Sequence, residues 1–319
     1  MKKYSIGVDL GGTKVLCAII EKETNKILFE VKKKTKKEKG NEKVTDKLFE
    51  ALDELFKISD IKKSEISSIG IAAAGQVDRV NGILIDACNL ECKNLNLVEL
   101  IEKRYKIKTC LGNDVEAAGL GELNFGAGKG YKNIVCIFVG TGIGSCIIID
   151  GKIHYGVTGT AGEIGHIIVD ANGRSCSCGG AGCLEAYASR SAIEERIKGA
   201  VKKGRSSIIS DLTDGQNIST KHIKQALDAH DEVTSQYVQE AIEYLSSGIA
   251  SVINFLNPEL IILGGGLIQG IDEIYLKVVK GAKSKALYTP AEKTEFKRAE
   301  LGDHAGIIGA SILENQHAV

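Results

Sequence analysis

The chain has 319 residues, 43% of them hydrophobic, with 41 basic against 41 acidic side chains. That length suits two domains, each able to bury a core, and the zero formal charge argues against a generic polyanion binder, because nucleic-acid-binding domains carry a basic surplus. No stretch approaches the roughly 18 apolar residues of a membrane span.

The start, MKKYSIGVDLGG, has basic residues before an apolar run, but Asp9 and the glycines cut that run short, which is not the pattern of a signal peptide. Ile6, Val8 and Leu10 begin a strand that resumes after a glycine turn as VLCAII. The basic run KKKTKKEKG at 32–40 reads as a solvated loop without a function of its own. Leu48, Ala51, Leu52, Leu55 and Phe56 recur at helical spacing. SSIGIAAAG is a buried strand, and QVDRVNGILIDA is two short strands about an Asn81-Gly82 turn. NIVCIFVG is another buried strand. A long helix runs from Val238 through Ile249 to Leu256 and stops at Asn257-Pro258, before the strand ELIILGGG. Alternating strands and helices predict α/β layers.

YSIGVDLGGTKVLCAII and NIVCIFVGTGIGSCIIID echo each other: a buried strand, a glycine turn with a threonine, and a second apolar strand. Their separation is too large for a solenoid repeat and predicts two similar domains presenting glycine turns to a shared cleft. With Gly264-Gly265-Gly266 there are three candidate nucleotide contacts, where glycine allows positive φ and lets backbone N–H groups approach an anion. The nine cysteines are too sparse for a disulfide scaffold. Six lie scattered in apolar surroundings, which predicts reduced thiols in a cytoplasmic protein.

In chain order, GVDLGGTK, GNDVEAAGLGELNFGAGKG at 112–130, GTGIG at 140–144, GEIGH at 162–166 and CSCGGAGCLEAYAS at 176–189 resemble the ROK family of sugar kinases and sugar-responsive repressors. The likeness extends to LGDHAGIIGAS near the C-terminus. It implies an α/β actin-like ATPase (ribonuclease H-like) fold with two domains around a deep cleft. Residues 1–112 plus about 304–319 would form the smaller domain, with the last helix packing back on it, and 113–303 the larger, with a zinc loop at 166–183. The implied activity is ATP-dependent phosphorylation of a hexose, and CLEAYAS resembles glucokinase members. Fructose, mannose or an N-acetylhexosamine are the alternative acceptors. A sugar-sensing regulator is the remaining alternative. Such relatives carry a helix-turn-helix ahead of the core, for which GVDLGG beginning at residue 7 is expected to leave no room. Two departures lie on the expected sugar side: Ala74 where many relatives have proline, and CNLECKNLNL without a Gly-Trp-like segment.

Phosphoryl transfer needs held phosphates, a divalent metal and a positioned base. The resemblance makes Asp9 the Mg²⁺-side carboxylate, acting through water. Gly11, Gly12 and Thr13 would face the phosphates of ATP, with Gly140, Thr141 and Gly142 opposite and Gly265 and Gly266 on the adenosine side. Lys14 is either a phosphate ligand or a solvated lysine, since GGTK is not a Walker A motif. Asn113 and Asp114 would cap the helix that follows them, or, as the resemblance implies, Asp114 is the base and Asn113 holds the sugar. The resemblance assigns Glu163, His166 and Glu185 to sugar hydroxyls, which the two carboxylates would accept, with Gly75 and Asn89 as further sugar-side positions. Cys176, Cys178 and Cys183 lack the context of a redox pair or of a nucleic-acid zinc knuckle. With His166 they make a Cys₃His set of the closed structural zinc type; in that arrangement one ring nitrogen would meet the metal and the other the sugar, and metal-free thiols are the plain alternative. The implied partners are a small sugar and ATP, with no nucleic acid or membrane. Relatives are often dimers or tetramers, so a homo-oligomer is expected.

Overall fold

The computed structural model describes residues 2–35, 39–213 and 216–316. Of the basic run at 32–40, Lys36, Lys37 and Glu38 lie outside the described residues. Strands β1 (Tyr4–Leu10) and β2 (Lys14–Glu21) form the expected hairpin, and β3 (Ile27–Lys34) flanks it. Helix α1 (Asn41–Ser59) buries Leu48, Ala51, Leu52 and Leu55, the stripe its spacing predicts. Then come β4 (Ile66–Ala73), β5 (Gln76–Asp78), β6 (Ile83–Ala87), β7 (Cys92–Asn96), α2 (Leu97–Tyr105), β8 (Thr109–Asn113) and α3 (Asp114–Phe125). Strands β9 (Ile134–Val139), β10 (Ile143–Ile149) and β11 (Lys152–Ile153) follow. After an irregular stretch, the chain continues through α4 (Glu185–Ala188), α5 (Arg190–Lys202), α6 (Ile209–Thr213), α7 (Thr220–Asp228) and α8 (Glu232–Leu256). It ends with β12 (Leu260–Gly264), α9 (Gly266–Gly270), α10 (Asp272–Lys285), α11 (Tyr288–Lys293), β13 (Glu295–Arg298) and α12 (Ala305–Ala310).

Two sheets share one strand order, β3-β2-β1-β4-β8 and β11-β10-β9-β12-β13, so the echo in sequence is a repeat in topology. In each, the fourth strand pairs parallel with both the first and the fifth. β1, β2, β4, β9 and β12 are almost wholly buried, which suits continuous apolar runs. The small antiparallel sheet β5-β6-β7 is an addition to the first repeat. Its first turn spans Arg79–Gly82, wider than the two-residue turn expected at Asn81-Gly82. The Asp78 carboxylate accepts the Val80 and Asn81 N–H groups there, both at 3.0 Å, and Gly82 alone in the turn takes a positive φ of 71°. Helix α8 begins earlier than its apolar stripe, at an Asp231 cap that accepts the Thr234 N–H, and ends at Asn257 with φ 45°.

The chain divides into two compact units, Met1–Gly130 with Cys146–Ala161 and Glu300–Val319, and Tyr131–Ser145 with Gly162–Ala299. Helix α3 belongs to the first because α12 packs against it, backbone on backbone. Gly7 and Gly70 lie against the carbonyls of Ile307 and Ala310, and Gly309 against the carbonyl of Ala117; a Cβ at any of the three would overlap those atoms. The fully buried Glu122 carboxylate accepts the backbone N–H groups of Ala127 (3.0 Å), Glu300 (3.1 Å) and Leu301 (2.9 Å). In the second unit, α8 packs on α4, α5 and α10 around Ile242, Ile249 and Ile253. Cys17, Cys92, Cys110, Cys136 and Cys146 are buried as expected, but Cys88 is exposed because it opens a short 3₁₀ turn at the surface. Among the described residues, no helix is long and apolar enough to cross a membrane.

Gly309→Ala should lower the unfolding free energy by about 3 kcal/mol or more, since neither backbone can yield. Gly199→Ala, in exposed helix with open space around it, should raise stability by about 0.5–1 kcal/mol. Urea unfolding of both variants checks the contrast; equal effects would show that the close approach carries no energy.

Candidate functional site

In the first unit, β1 delivers Asp9 beside Gly306 of α12, and β8 runs directly into α3. Asn113 is the cap of α3: its Oδ1 accepts the N–H groups of Val115 (2.9 Å) and Glu116 (3.3 Å), while its Nδ2 donates to the Gly75 carbonyl at 3.1 Å. Asp114 is the first helical residue, and its Oδ1 accepts the Val115 N–H at 3.0 Å. The cap expected of this pair is therefore Asn113, and it holds Asp114 at a rigid helix start. Burial, and next the Asp114 carboxylate, push Asp9 up from 3.8 to about 6, with Asp303 adding and Lys14 opposing. The Asp114 charge reaches Asp9, and carboxylates are the donor type that a hydrated divalent cation takes.

The β1–β2 turn is closed by the Gly11 N–H donating to the Lys14 carbonyl at 3.0 Å. Gly12 has no room for a side chain because Asn89 lies where its Cβ would be, so the β1–β2 turn and Asn89 touch. The Asn89 side chain is exposed, as is Thr13. Lys14 keeps about a quarter of its side chain exposed, and its Nζ pairs with the exposed Asp303 at 3.3 Å. Ala74, the departure from proline, donates its N–H to the Leu10 carbonyl at 3.1 Å, a bond proline would forfeit. Gly75 has φ +140°, with the Asp86 carbonyl where a Cβ would stand. Arg79 forms an ion pair with Glu116 in the first turn of α3 and donates to the Gly159 carbonyl at 3.0 Å, bracing the β5–β6 hairpin against α3.

In the second unit, the turn Gly140-Thr141-Gly142 leaves β9, with the Gly140 N–H donating to the Gly142 carbonyl at 2.9 Å. Neither Gly12 nor Gly142 uses positive φ. Gly142 is needed because the Glu185 carboxylate occupies its Cβ position. Glu185, opening α4, accepts the Ile143 N–H at 2.8 Å on one oxygen and the Ser177 hydroxyl at 3.3 Å on the other. Gly265 does have positive φ, +85°, and packs on the Val139 backbone, which sets the Gly265-Gly266 turn beside the Gly140 turn. Glu163 is exposed, and its side chain makes no cap bond to the short 3₁₀ turn that follows it.

Donor atoms of His166, Cys176, Cys178 and Cys183 all lie within 4.8 Å of one another. His166 Nδ1 is 3.7 Å from Cys176 Sγ, and the Cys178 and Cys183 sulfurs are 3.7 Å apart. Zinc–sulfur bonds of about 2.3 Å make tetrahedral edges of about 3.8 Å, so the set fits a closed zinc site. The Gly180 N–H at Cys178 holds that thiol below its usual range, while burial pushes Cys183 up to about 12. The loop is anchored by Tyr187, which accepts the Arg174 N–H and donates to Asp170, and by Arg174 on Glu240.

Residues missed in sequence are Asp303, Ser177 and Arg190. Each sits inside or directly after a motif, in LGDHAG, CSC and EAYASR, where a polar side chain among small residues is the available signal.

The raised Asp9 value means that the folded state binds more protons than the unfolded chain between 3.8 and about 6. Its charge therefore destabilises the metal-free fold above that window and not below it. Asp9→Asn should raise the urea midpoint at pH 7.5, with the gain fading as pH falls from 6 to 4; an equal gain at both pH values would exclude this cause.

Residues 5–317 match the ROK family. A glucokinase of Halalkalibacterium halodurans is 33% identical over 316 residues, 98% of this chain and 96% of that protein. The crystal structure of a ROK family glucokinase from Streptomyces griseus, in complex with glucose and AMPPNP, is 31% identical with a TM-score of 0.83, over 97% of this chain and 98% of that one. A xylose repressor of Caldicellulosiruptor bescii is 30% identical over 95% of this chain and 76% of the repressor. The repeated sheets are those of the actin-like ATPase fold. Motifs, topology and relatives agree, and the chain belongs to the ROK family.

Proposed function

We propose that this chain transfers the terminal phosphoryl group of ATP to a hexose hydroxyl, converting glucose to glucose 6-phosphate. The observation that carries the chemistry is the Asp9–Asp114 pair, one carboxylate burdened by the other at the ends of β1 and β8. Full-length similarity to glucokinases supports glucose as the acceptor.

Asp114 takes the proton of the attacking hydroxyl as its oxygen bonds to phosphorus. Asn113 has its carbonyl oxygen engaged by two N–H groups and one amide hydrogen on Gly75, so it meets a sugar oxygen only as a donor, through the hydrogen that remains. A divalent cation bound with the triphosphate would neutralise charge on the transferred group, and Asp9 is the residue that would hold it through water. Glu163 and Glu185 accept sugar hydroxyls, Glu185 from an orientation already set by Ile143 and Ser177. Zinc would be held by Cys176, Cys178, Cys183 and His166 Nδ1, which leaves the proton on Nε2 and makes that atom a donor to the sugar. Gly11, Gly12, Thr13 and the Gly140 and Gly265 turns take the nucleotide.

A kinase for fructose, mannose or an N-acetylhexosamine is the second reading, motivated by Ala74 and the segment after Asn89. The repressor relative motivates a third, sugar sensing without chemistry. Sugar-dependent ADP release across a hexose panel tests all three: glucose should give the highest kcat/KM, and no ADP with any sugar would leave only the sensor.

Asp114→Asn should lower kcat by about 10²–10⁴-fold, the worth of a positioned base, with sugar affinity retained; near-normal turnover would reject the assignment. Cys178→Ala should lose zinc by elemental analysis and weaken glucose binding in calorimetry. Unchanged affinity in a zinc-free protein would remove the metal from sugar recognition.

A further inference from the structure

Phosphoryl transfer draws on fixed cations beside the phosphates. Lys14, the motif lysine, pairs with the exposed Asp303 at 3.3 Å. In the second unit a different cation is bound to the phosphate turn. Arg190 Nη2 donates to Thr141 Oγ1 at 3.1 Å, and its backbone N–H donates to the Gly140 carbonyl at 2.9 Å. Its Nη1 donates to Glu194 at 2.9 Å and to the Ile218 carbonyl at 2.7 Å. The guanidinium is thus held in one orientation before any ligand arrives, although its side chain keeps 21% exposure. Glu194 does not cancel the charge, because it also pairs with Lys198 at 2.7 Å: two cations share one carboxylate. Thr141 is exposed and, by accepting from Arg190, keeps its own hydroxyl hydrogen to donate. Of the five guanidinium hydrogens, one on Nη2 and that on Nε have no partner among the described residues.

We propose that Arg190 is a phosphate-binding residue, donating with Thr141 to phosphoryl oxygens of the nucleotide. This rests on the kinase reading above and adds the residue that supplies the charge. A triphosphate, rich in acceptors and anionic, matches a turn that offers a hydroxyl hydrogen beside a clamped guanidinium.

The test uses the full chain and three variants, Arg190→Gln, Arg190→Lys and Thr141→Val. Steady-state kinetics give KM for ATP and for glucose, and calorimetry gives affinities for adenosine and for inorganic tripolyphosphate. Arg190→Gln should raise KM for ATP about tenfold, abolish tripolyphosphate binding, and leave adenosine affinity and KM for glucose unchanged. Arg190→Lys should recover part of the loss. Should Arg190→Gln fail to fold, Thr141→Val keeps the Glu194 and Ile218 clamp and should show the same ATP-selective loss at smaller size. An unchanged KM for ATP, or equal weakening of ATP, adenosine and glucose, overturns the proposal and makes Arg190 a structural staple. Wild-type protein that releases no ADP with any hexose refutes the kinase reading instead, and tripolyphosphate binding by wild type and variants then decides the role of Arg190.

Discussion

The first unit depends on a contact in which two backbones meet with no side chain between them. Gly7, Gly70 and Gly309 let α12 lie directly on the sheet and on α3. That closeness sets two positions of the site together. Gly306 on the same helix lies beside Asp9, and α3, fixed from behind by α12, carries Asp114 on its first turn. The Asn113 cap and the buried Glu122 then secure the two ends of α3 by satisfying N–H groups that the fold would otherwise strand. Burial within this frame, and next the Asp114 charge, are what raise the Asp9 carboxyl to about 6.

The second unit orders its functional stretch by other means. Between β11 and α4 the chain has little regular structure, and its shape comes from discrete bonds: four donor atoms facing a common centre, the Tyr187–Asp170 and Arg174–Glu240 anchors, and Ser177 on Glu185. Glu185 joins this loop to the Gly140–Gly142 turn through Ile143. The irregular stretch and the turn after β9 are thus bonded to each other within a single unit, so a displacement of one is felt by the other.

Strands β1, β2, β4, β9 and β12 and helix α8 were legible because burial on both faces or on one long stripe leaves an unbroken apolar pattern. β11 and β13 were not: Lys152–Ile153 is too short to show a period, and Glu295–Arg298 is mostly polar, held by pairing with β12. The family resemblance pointed to Asp9, Asn113 and Asp114, while the spacing of the cysteines after GEIGH pointed to the His166, Cys176, Cys178 and Cys183 set whose donor atoms the fold gathers within 4.8 Å. The glycines were legible as necessary but for an incomplete reason. Gly12 and Gly142 are small because Asn89 and Glu185 fill their Cβ positions, and such partners are chosen by the fold. Arg190 and Asp303 escaped for the same cause, since Thr141 and Lys14 are distant along the chain.

The seam under α12 also bears on how the molecule is made. The strands and α3 that α12 covers all lie within the first 130 residues, whereas α12 itself belongs to the segment from Glu300 onward. On the ribosome the first sheet must therefore wait, with Gly7 and Gly70 uncovered, while the entire second unit is synthesised and is free to fold. Completion of the first unit therefore comes after synthesis of the second, and a nascent chain stalled anywhere in the second unit would expose that sheet face to chaperones or to aggregation.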